Sequence, residues 1–180
     1  MISCGYLPTD PSLSGRTKVT TPLQERFREV MAGVATPVTV MTALERGTPH
    51  GTTVGAFASL SMEPPMVMAC LDRRSDLLAR VRRTGRFGVN VLGSSHSELA
   101  ARFAQKGAEK FLGVDWEVDS EVPRLVGASG WLACDVAGLV EGGDHVIVIG
   151  AVLAVDKAHV EPLTYHMRSF GTHAPLAGSV

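Results

Sequence analysis

Alternating apolar and polar positions predict strands along most of the chain. Residues 37–42 alternate in this way, and residues 51–61 form a second extended stretch. Further strands are predicted from apolar runs at residues 66–71, 87–92, 131–139 and 145–159. Turn-forming residues follow the first two strands, at Arg46-Gly47-Thr48-Pro49 and at Glu63-Pro64-Pro65. The pattern therefore indicates a mainly β protein.

Three short helices are predicted among these strands. The first begins at Thr21, a good N-cap residue before Pro22, and ends at Gly33. The second covers residues 75–83, and the third begins at a capping box, Ser95-His96-Ser97-Glu98. Helices that do not alternate regularly with strands disfavour a doubly wound parallel sheet. They favour a closed or partly closed antiparallel barrel, which leaves few exposed strand edges.

Composition limits the size and the partners of this protein. Its 180 residues are 45% hydrophobic and 19% charged, as in globular domains, and we expect one domain over residues 21–180 after a flexible segment at 1–20. A net charge of −1 without a basic stripe argues against nucleic acid as a partner. The longest apolar run, residues 146–155, is too short for a membrane span, and residues 1–20 show no secretory signal.

The cysteines and the missing motifs narrow the chemistry. Cys4, Cys70 and Cys134 are odd in number and widely spaced, which predicts free thiols in the cytoplasm and no metal site. The sequence lacks a G-x-G-x-x-G fingerprint, a Walker loop, a G-x-S-x-G elbow and zinc-type spacing. We therefore expect a reaction that uses neither a protein nucleophile nor a metal ion.

Two features suggest a phosphorylated planar ligand. Residues 51–61 are rich in small side chains and hydroxyls, so that a flat ring can approach backbone N–H groups. Ser75 opens a helix whose N-terminus favours an anion, and Lys110 supplies a cation. Simpler explanations fit the same residues. Residues 51–61 then form a glycine-containing strand with a β-bulge, Ser75 is an ordinary N-cap and Lys110 is a solvated lysine.

Two further segments carry candidate chemistry. Gly142-Gly143-Asp144-His145 predicts a hairpin turn that places an imidazole at the rim of a strand, where it binds either a ligand or a carbonyl. Residues 165–170 combine aromatic, cationic and imidazole groups. This segment either stacks on a ring system of a ligand or packs at a dimer interface.

In their order along the chain, these segments resemble the short-chain flavin reductase family, the reductase components of two-component flavin-dependent monooxygenases. The likeness extends from Phe27 to Phe170. The matching segments are residues 37–42, 51–57, 59–65, 87–92, 102–104, 110–111 and 143–145, and Gly150. The S-x-S-x-x-P-P, F-x-V-N-V-L and G-D-H elements are specific when they occur in this order.

The resemblance implies an FMN-binding split β-barrel of Greek-key type, a homodimer with flavin near the subunit interface, and a partner oxygenase that receives reduced flavin. The implied cofactors are FMN or FAD, with NADH or NADPH. The implied flavin-binding residues are Pro37, Thr53, Val54, Gly55, Ala56, Phe57, Ser59, Ser61, Cys70, Asp72, Ser75, Phe103 and Lys110. The implied nicotinamide-binding residues are His145, Tyr165, Arg168 and Phe170, with His145 as the candidate catalytic residue.

One departure and two alternatives accompany this interpretation. Many relatives carry two serines where this chain has Gly55-Ala56, so hydroxyl contacts to the flavin are lost there. A non-enzymatic flavin-binding barrel would need no nicotinamide site. A pyridoxine phosphate oxidase-like or deazaflavin-dependent enzyme shares the fold, but the arginines between residues 73 and 83 have the spacing of a solvated helix face.

Overall fold

The structure, a computed structural model, describes residues 20–107 and 109–176. The helices are α1 (Pro22–Ala32), α2 (Asp76–Thr84) and α3 (Ser97–Ala104). The strands are β1 (Thr36–Pro37), β2 (Thr39–Glu45), β3 (Thr48–Val54), β4 (Phe57–Met62), β5 (Pro65–Asp72), β6 (Arg86–Val91), β7 (Trp116–Asp119), β8 (Val122–Leu125), β9 (Gly130–Gly142), β10 (His145–Lys157), β11 (Leu163–His166) and β12 (Ser169–Thr172). The predicted flexible segment at 1–20 lies outside the described residues, apart from Thr20.

Seven antiparallel strands form the main sheet, in the order β3-β2-β6-β9-β10-β5-β4. The two edge strands, β3 and β4, are joined by Gly55 and Ala56 alone. Because so short a connection cannot cross the width of a flat sheet, the sheet must curl until its edges meet. The predicted mainly β, split-barrel architecture is thereby confirmed. A second sheet has the order β1-β11-β12, and β7 pairs with β8.

The prediction of one continuous strand over residues 51–61 was wrong. The chain turns at Gly55, whose carbonyl accepts the N–H of Phe57 at 3.0 Å. It then leaves its partner β2 and pairs with β5 instead. The first turn is also shorter than predicted, since Arg46 and Gly47 alone join β2 to β3, and edge strand β3 tolerates Pro49.

The capping box predicted for the third helix was also wrong. A 3₁₀ turn over Ser94–His96 precedes α3, and His96 occupies the N-cap position without a side-chain capping bond. The imidazole Nδ1 of His96 instead accepts the Gly93 N–H at 3.3 Å. In α1, by contrast, the predicted cap is confirmed, with Thr21 and Gln24 forming a reciprocal capping box.

The barrel interior is filled by side chains that alternate along the strands. On β10, for example, Val146 and Val148 point inward, and α2 adds Leu78 and Val81 to the same core. A second buried cluster packs α3 against the outside of the sheet, with Phe103 among its largest members. The barrel therefore has no open channel along its axis, and ligand sites must lie on its outer surface and rims.

Helix α1 stands apart from both cores. None of its residues is buried, and Phe27 and Val30 on its apolar face are 62% and 69% exposed. Among the described residues, no helix combines the length and the apolar character needed to cross a membrane.

Candidate functional site

The β3–β4 corner brings small residues from distant segments together. Gly55 lies against β1, because a Cβ at this position would be 3.3 Å from the Thr36 hydroxyl oxygen. The carbonyl of Ala56 accepts the N–H of Cys70 at 2.9 Å, which ties the corner to β5. Pro37, Gly55, Ala56 and Cys70 thus lie in one neighbourhood, and their role in ligand binding stays a prediction.

Strands β5 and β10 extend this surface. Cys70 is the register partner of Ile147, and Asp72 is that of His145. The Nδ1 atom of His145 lies 2.8 Å from the Asp144 carboxylate, and the imidazole is 16% exposed. Burial raises the pKa of the Cys70 thiol, so this cysteine stays protonated near neutral pH. The surface therefore offers an imidazole that can orient a ligand, and no thiolate nucleophile.

Lys110 lies beside the middle of β3. Its ammonium group donates to the carbonyls of Gly51, at 3.2 Å, and Phe103, at 2.9 Å. Burial lowers the pKa of Lys110, and the carboxylate of Asp76 at the start of α2 partly opposes that shift. Ser75, the N-cap of α2, accepts the N–H of Leu78. The Lys110 ammonium group therefore lies within electrostatic range of the first turn of α2, which carries the acidic Asp76.

The C-terminal hairpin lies beside the β3–β4 corner. Tyr165 is the register partner of Thr36, and its ring packs edge-on against Phe170 with 5.3 Å between the ring centroids. Met167 and Arg168 form the hairpin turn, both with positive φ, and Arg168 is exposed. The predicted nicotinamide-binding aromatics are thus close to the corner, while Arg168 lies at the tip of the hairpin.

Several predicted contact residues have little accessible surface in this chain. Phe103 is fully buried, Val54 is 5% exposed, and the Thr53 hydroxyl donates to the Ala100 carbonyl at 2.6 Å. These side chains support β3 and α3, so only the backbone of Thr53 and Val54 can face a ligand. Phe57 is partly buried and packs on the barrel core.

The two predicted serines lie on β4. Ser59 is exposed, and a β-bulge separates it from Ser61, in agreement with the alternative interpretation of this segment. The Ser61 hydroxyl accepts the N–H of Glu63 at 3.2 Å, which links it to the β4–β5 connection. These hydroxyls lie farther along the edge strand than the corner itself.

The arginines near α2 pair with acids rather than forming a cluster for an anion. Their ion pairs are Arg73–Glu141, Arg74–Asp72, Arg80–Glu45, Arg82–Glu141 and Arg83–Glu45. The expected solvated face is therefore present, but no sequence pattern indicated that Arg73 reaches the hairpin turn before His145. In residues 20–107 and 109–176, no group of three or more His, Cys, Asp or Glu side chains is placed to hold a metal ion.

Comparison with known proteins identifies the family. The flavin reductase like domain model matches residues 31–174. The chain is 36% identical to the reductase component of 4-nitrophenol 4-monooxygenase/4-nitrocatechol 2-monooxygenase from Rhodococcus opacus, over 86% of this chain and 83% of that protein. It is 35% identical to the NADH:riboflavin 5'-phosphate oxidoreductase of Streptomyces pristinaespiralis, over 84% of this chain and 89% of that protein.

A solved structure of similar fold is also a flavin-reducing oxidoreductase by its name. The NADH:FAD oxidoreductase SgcE6 of Streptomyces globisporus C-1027, in complex with NAD and FAD fragments, has a TM-score of 0.82 and 30% identity. The match covers 89% of this chain and 99% of that one. With a family model matching most of the chain and relatives above 30% identity along most of their length, the chain belongs to the flavin reductase like domain family.

Proposed function

We propose that this chain, a flavin reductase by family, holds FMN or FAD along β3 and reduces it with NADH or NADPH bound on the His145 side. One observation carries the proposal: a corner of small residues lies at one end of β3 and a half-buried ammonium group lies beside the middle of that strand, at Gly51. Gly51 and Gly55 are four residues apart, or roughly 13 Å along an extended strand. A flavin nucleotide is likewise elongated, with its ring system at one end and phosphate at the other.

The residues at both positions fit such a ligand. At the corner, Gly55 and Ala56 leave backbone groups accessible to a ring that carries carbonyls and ring nitrogens. Beside the middle of β3, two of the three hydrogens on the Lys110 ammonium are used by Gly51 and Phe103. The third hydrogen favours a phosphate.

The protein supplies binding, orientation and electrostatics to this reaction. When bound, the flavin supplies the acceptor for the hydride of the reduced nicotinamide. Backbone N–H groups of residues 53–56 would stabilise negative charge on the reduced ring, whereas the Phe57 N–H already donates to the Gly55 carbonyl. His145, held by Asp144, orients the nicotinamide carboxamide, and Tyr165 with Phe170 closes the site on the other side. His145 is thus a catalytic residue that binds and orients the cofactor, with no covalent step on the protein.

The proposal extends to the assembly and its partner. Residues 21–180 act as one domain in the cytoplasm and form a homodimer, which is supported by the exposed apolar face of α1. Reduced flavin passes to a separate oxygenase, since a relative is named as a reductase component. A pocket made of backbone and small side chains binds flavin modestly, which permits its release.

The test is anaerobic absorbance with purified protein, pairing FMN and FAD each with NADH and NADPH. Bleaching of the oxidised flavin band far above the protein-free rate is the expected result, and it identifies the preferred pair. Flavin binding without bleaching by either nicotinamide would leave a binding protein only. No flavin binding at all would refute the placement of the site.

Replacing Lys110 with Met should weaken FMN binding roughly 10- to 100-fold, because a charge-assisted hydrogen bond contributes about 1.5–3 kcal/mol. The measurement is flavin fluorescence titration. Riboflavin, which has the same ring and no phosphate, provides the matched control, and its dissociation constant should not change. An equal loss for both ligands would assign Lys110 to the support of α3 and remove it from the phosphate site.

Replacing Ala56 with Ser should tighten flavin binding roughly 2- to 10-fold, because it restores a hydroxyl contact that contributes about 0.5–1.5 kcal/mol. Ala56 is exposed, so the extra oxygen has room, whereas a side chain at Gly55 would press on Thr36. Ala58→Ser, on the next strand and also exposed, is the control and should leave the affinity unchanged. Equal affinities for Ala56→Ser and the parent protein would place the ring away from this corner.

A further inference from the structure

We infer that Arg73 is a positioning residue that fixes the hairpin turn leading into His145. The inference rests on the proposed function, in which His145 orients the nicotinamide. Arg73 lies in the connection between β5 and α2, directly after Asp72, the register partner of His145. It belongs to the arginine-rich stretch that the sequence assigned to a solvated face, and its side chain is 53% exposed.

Three contacts join Arg73 to the β9–β10 turn. Its backbone N–H donates to the Asp144 carbonyl at 2.9 Å. One terminal nitrogen of its guanidinium donates to the Gly143 carbonyl at 2.9 Å and lies 2.8 Å from the Glu141 carboxylate. The Arg73 side chain thus binds both the Gly143 carbonyl in the turn and the Glu141 carboxylate at the end of β9.

The turn is short and exposed to solvent. It has two residues, Gly143 has a φ of 66°, and residues 141–144 are all exposed. Asp144, which the Arg73 backbone holds, is also the residue whose carboxylate contacts the His145 ring. A shift of the turn therefore changes the position of the imidazole.

Energetics favour a positioning role over a stabilising one. An exposed ion pair contributes about 0–1 kcal/mol to folding, so its loss should barely change stability. Orientation is far more sensitive, since a misplacement of about 1 Å can reduce a rate 100-fold. Arg73 also connects residues 70–75, a predicted flavin-lining segment, to the turn on the nicotinamide side. Arg73 therefore fixes the position of the nicotinamide side of the proposed site relative to its flavin side.

The test compares Arg73→Gln with Arg83→Gln, an arginine of similar exposure that pairs with Glu45 and does not reach the turn. We expect Arg73→Gln to raise KM for the nicotinamide cofactor roughly 5- to 20-fold, with kcat and flavin affinity within about twofold of the parent protein. Glu141→Gln should raise KM in the same direction, and the double variant should show less than the product of the two effects. Arg83→Gln should leave all three values unchanged.

A second readout does not depend on activity. In flavin-free protein, the ¹⁵N NMR signals of the His145 imidazole should shift in Arg73→Gln and not in Arg83→Gln. Unchanged KM and unchanged His145 signals in Arg73→Gln would overturn the inference, as would equal losses in KM, flavin affinity and thermal stability. If the parent protein reduced no flavin, the proposed function would fail, and the NMR comparison would still decide whether Arg73 positions His145.

Discussion

Replacing Gly150 with Ala should destabilise the protein by about 3 kcal/mol, although the change adds a single methyl group. Gly150 lies on β10, where a Cβ would be 2.4 Å from the ring tip of Phe87 and 2.9 Å from the Cβ of Cys134. Phe87 and Cys134 are fully buried in the barrel core, so neither can retreat into solvent. The expected result in urea denaturation is a lower midpoint with an unchanged slope, measured at one protein concentration.

Two further variants make this prediction specific. Gly138 lies on neighbouring β9, and a Cβ there would meet Ile149 at an ordinary 3.8 Å, so Gly138→Ala should change stability by less than about 0.5 kcal/mol. Phe87→Leu replaces the ring that opposes Gly150 with a smaller side chain. It should therefore recover part of the lost stability when combined with Gly150→Ala. Additive effects of the two changes would show that Phe87 is not the source of the strain.

This packing explains why Gly150 is among the residues that match the flavin reductase family although it lies away from the ligand surface. It lets Phe87 fill the barrel interior beneath the strand whose first residue is His145. A distorted β10 would change its register with β5, which sets Asp72 opposite His145. The core and the candidate site thus share one strand.

Local chemistry explains which elements could be predicted from the sequence. Thr21 is the expected N-cap of α1, and its capping box with Gln24 forms because both partners lie within one turn of helix. The Gly143-Asp144 hairpin was likewise predicted from its own residues, and Gly143 adopts the positive φ that such a turn requires. Short-range patterns of this kind do not depend on the rest of the fold.

The strands that the sequence missed lack these local signals. Hairpin β7–β8 turns at Ser120 and Glu121, and hairpin β11–β12 turns at Met167 and Arg168, all four with positive φ. Such turns usually contain Gly or Asn, so nothing in the sequence marked them. The change of partner strand at Gly55 was equally hidden, because it depends on the closure of the barrel.

The candidate site shows the same division between local and long-range information. The sequence identified Lys110 as a cation and the small residues near Gly55 as a place for close approach. It could not reveal that Gly51 and Phe103 already use two donors of Lys110, since these bonds cross 59 and 7 residues of chain. Nor could it reveal that Phe103 is buried or that Arg73 holds the turn before His145.

Replacing Asn90 with Leu should destabilise the protein by about 3 kcal/mol at similar side-chain volume. Asn90, the polar residue of the F-x-V-N-V-L element, is fully buried on β6. Its side-chain nitrogen donates to the carbonyls of Val40 and Pro123 at 3.2 and 3.4 Å, and its oxygen accepts the Leu125 N–H at 2.7 Å. It therefore joins three strands, β2, β6 and β8, through backbone groups that have no access to water.

The physical reason for the loss is that leucine cannot accept the buried Leu125 N–H, and an unsatisfied buried donor costs about 1–3 kcal/mol. The Pro123 carbonyl keeps a donor in the Thr42 hydroxyl. Thr172→Val is the control, because the exposed Thr172 hydroxyl makes one bond to the Pro162 carbonyl and its loss should cost less than about 0.5 kcal/mol. Urea denaturation measures both variants, and flavin affinity measured below the transition should equal that of the parent protein. A folded Asn90→Leu variant with parental stability would mean that Leu125 finds another partner. Weaker flavin binding without any loss of stability would instead place Asn90 in the binding site, so the two measurements separate a structural role in the signature from a functional one.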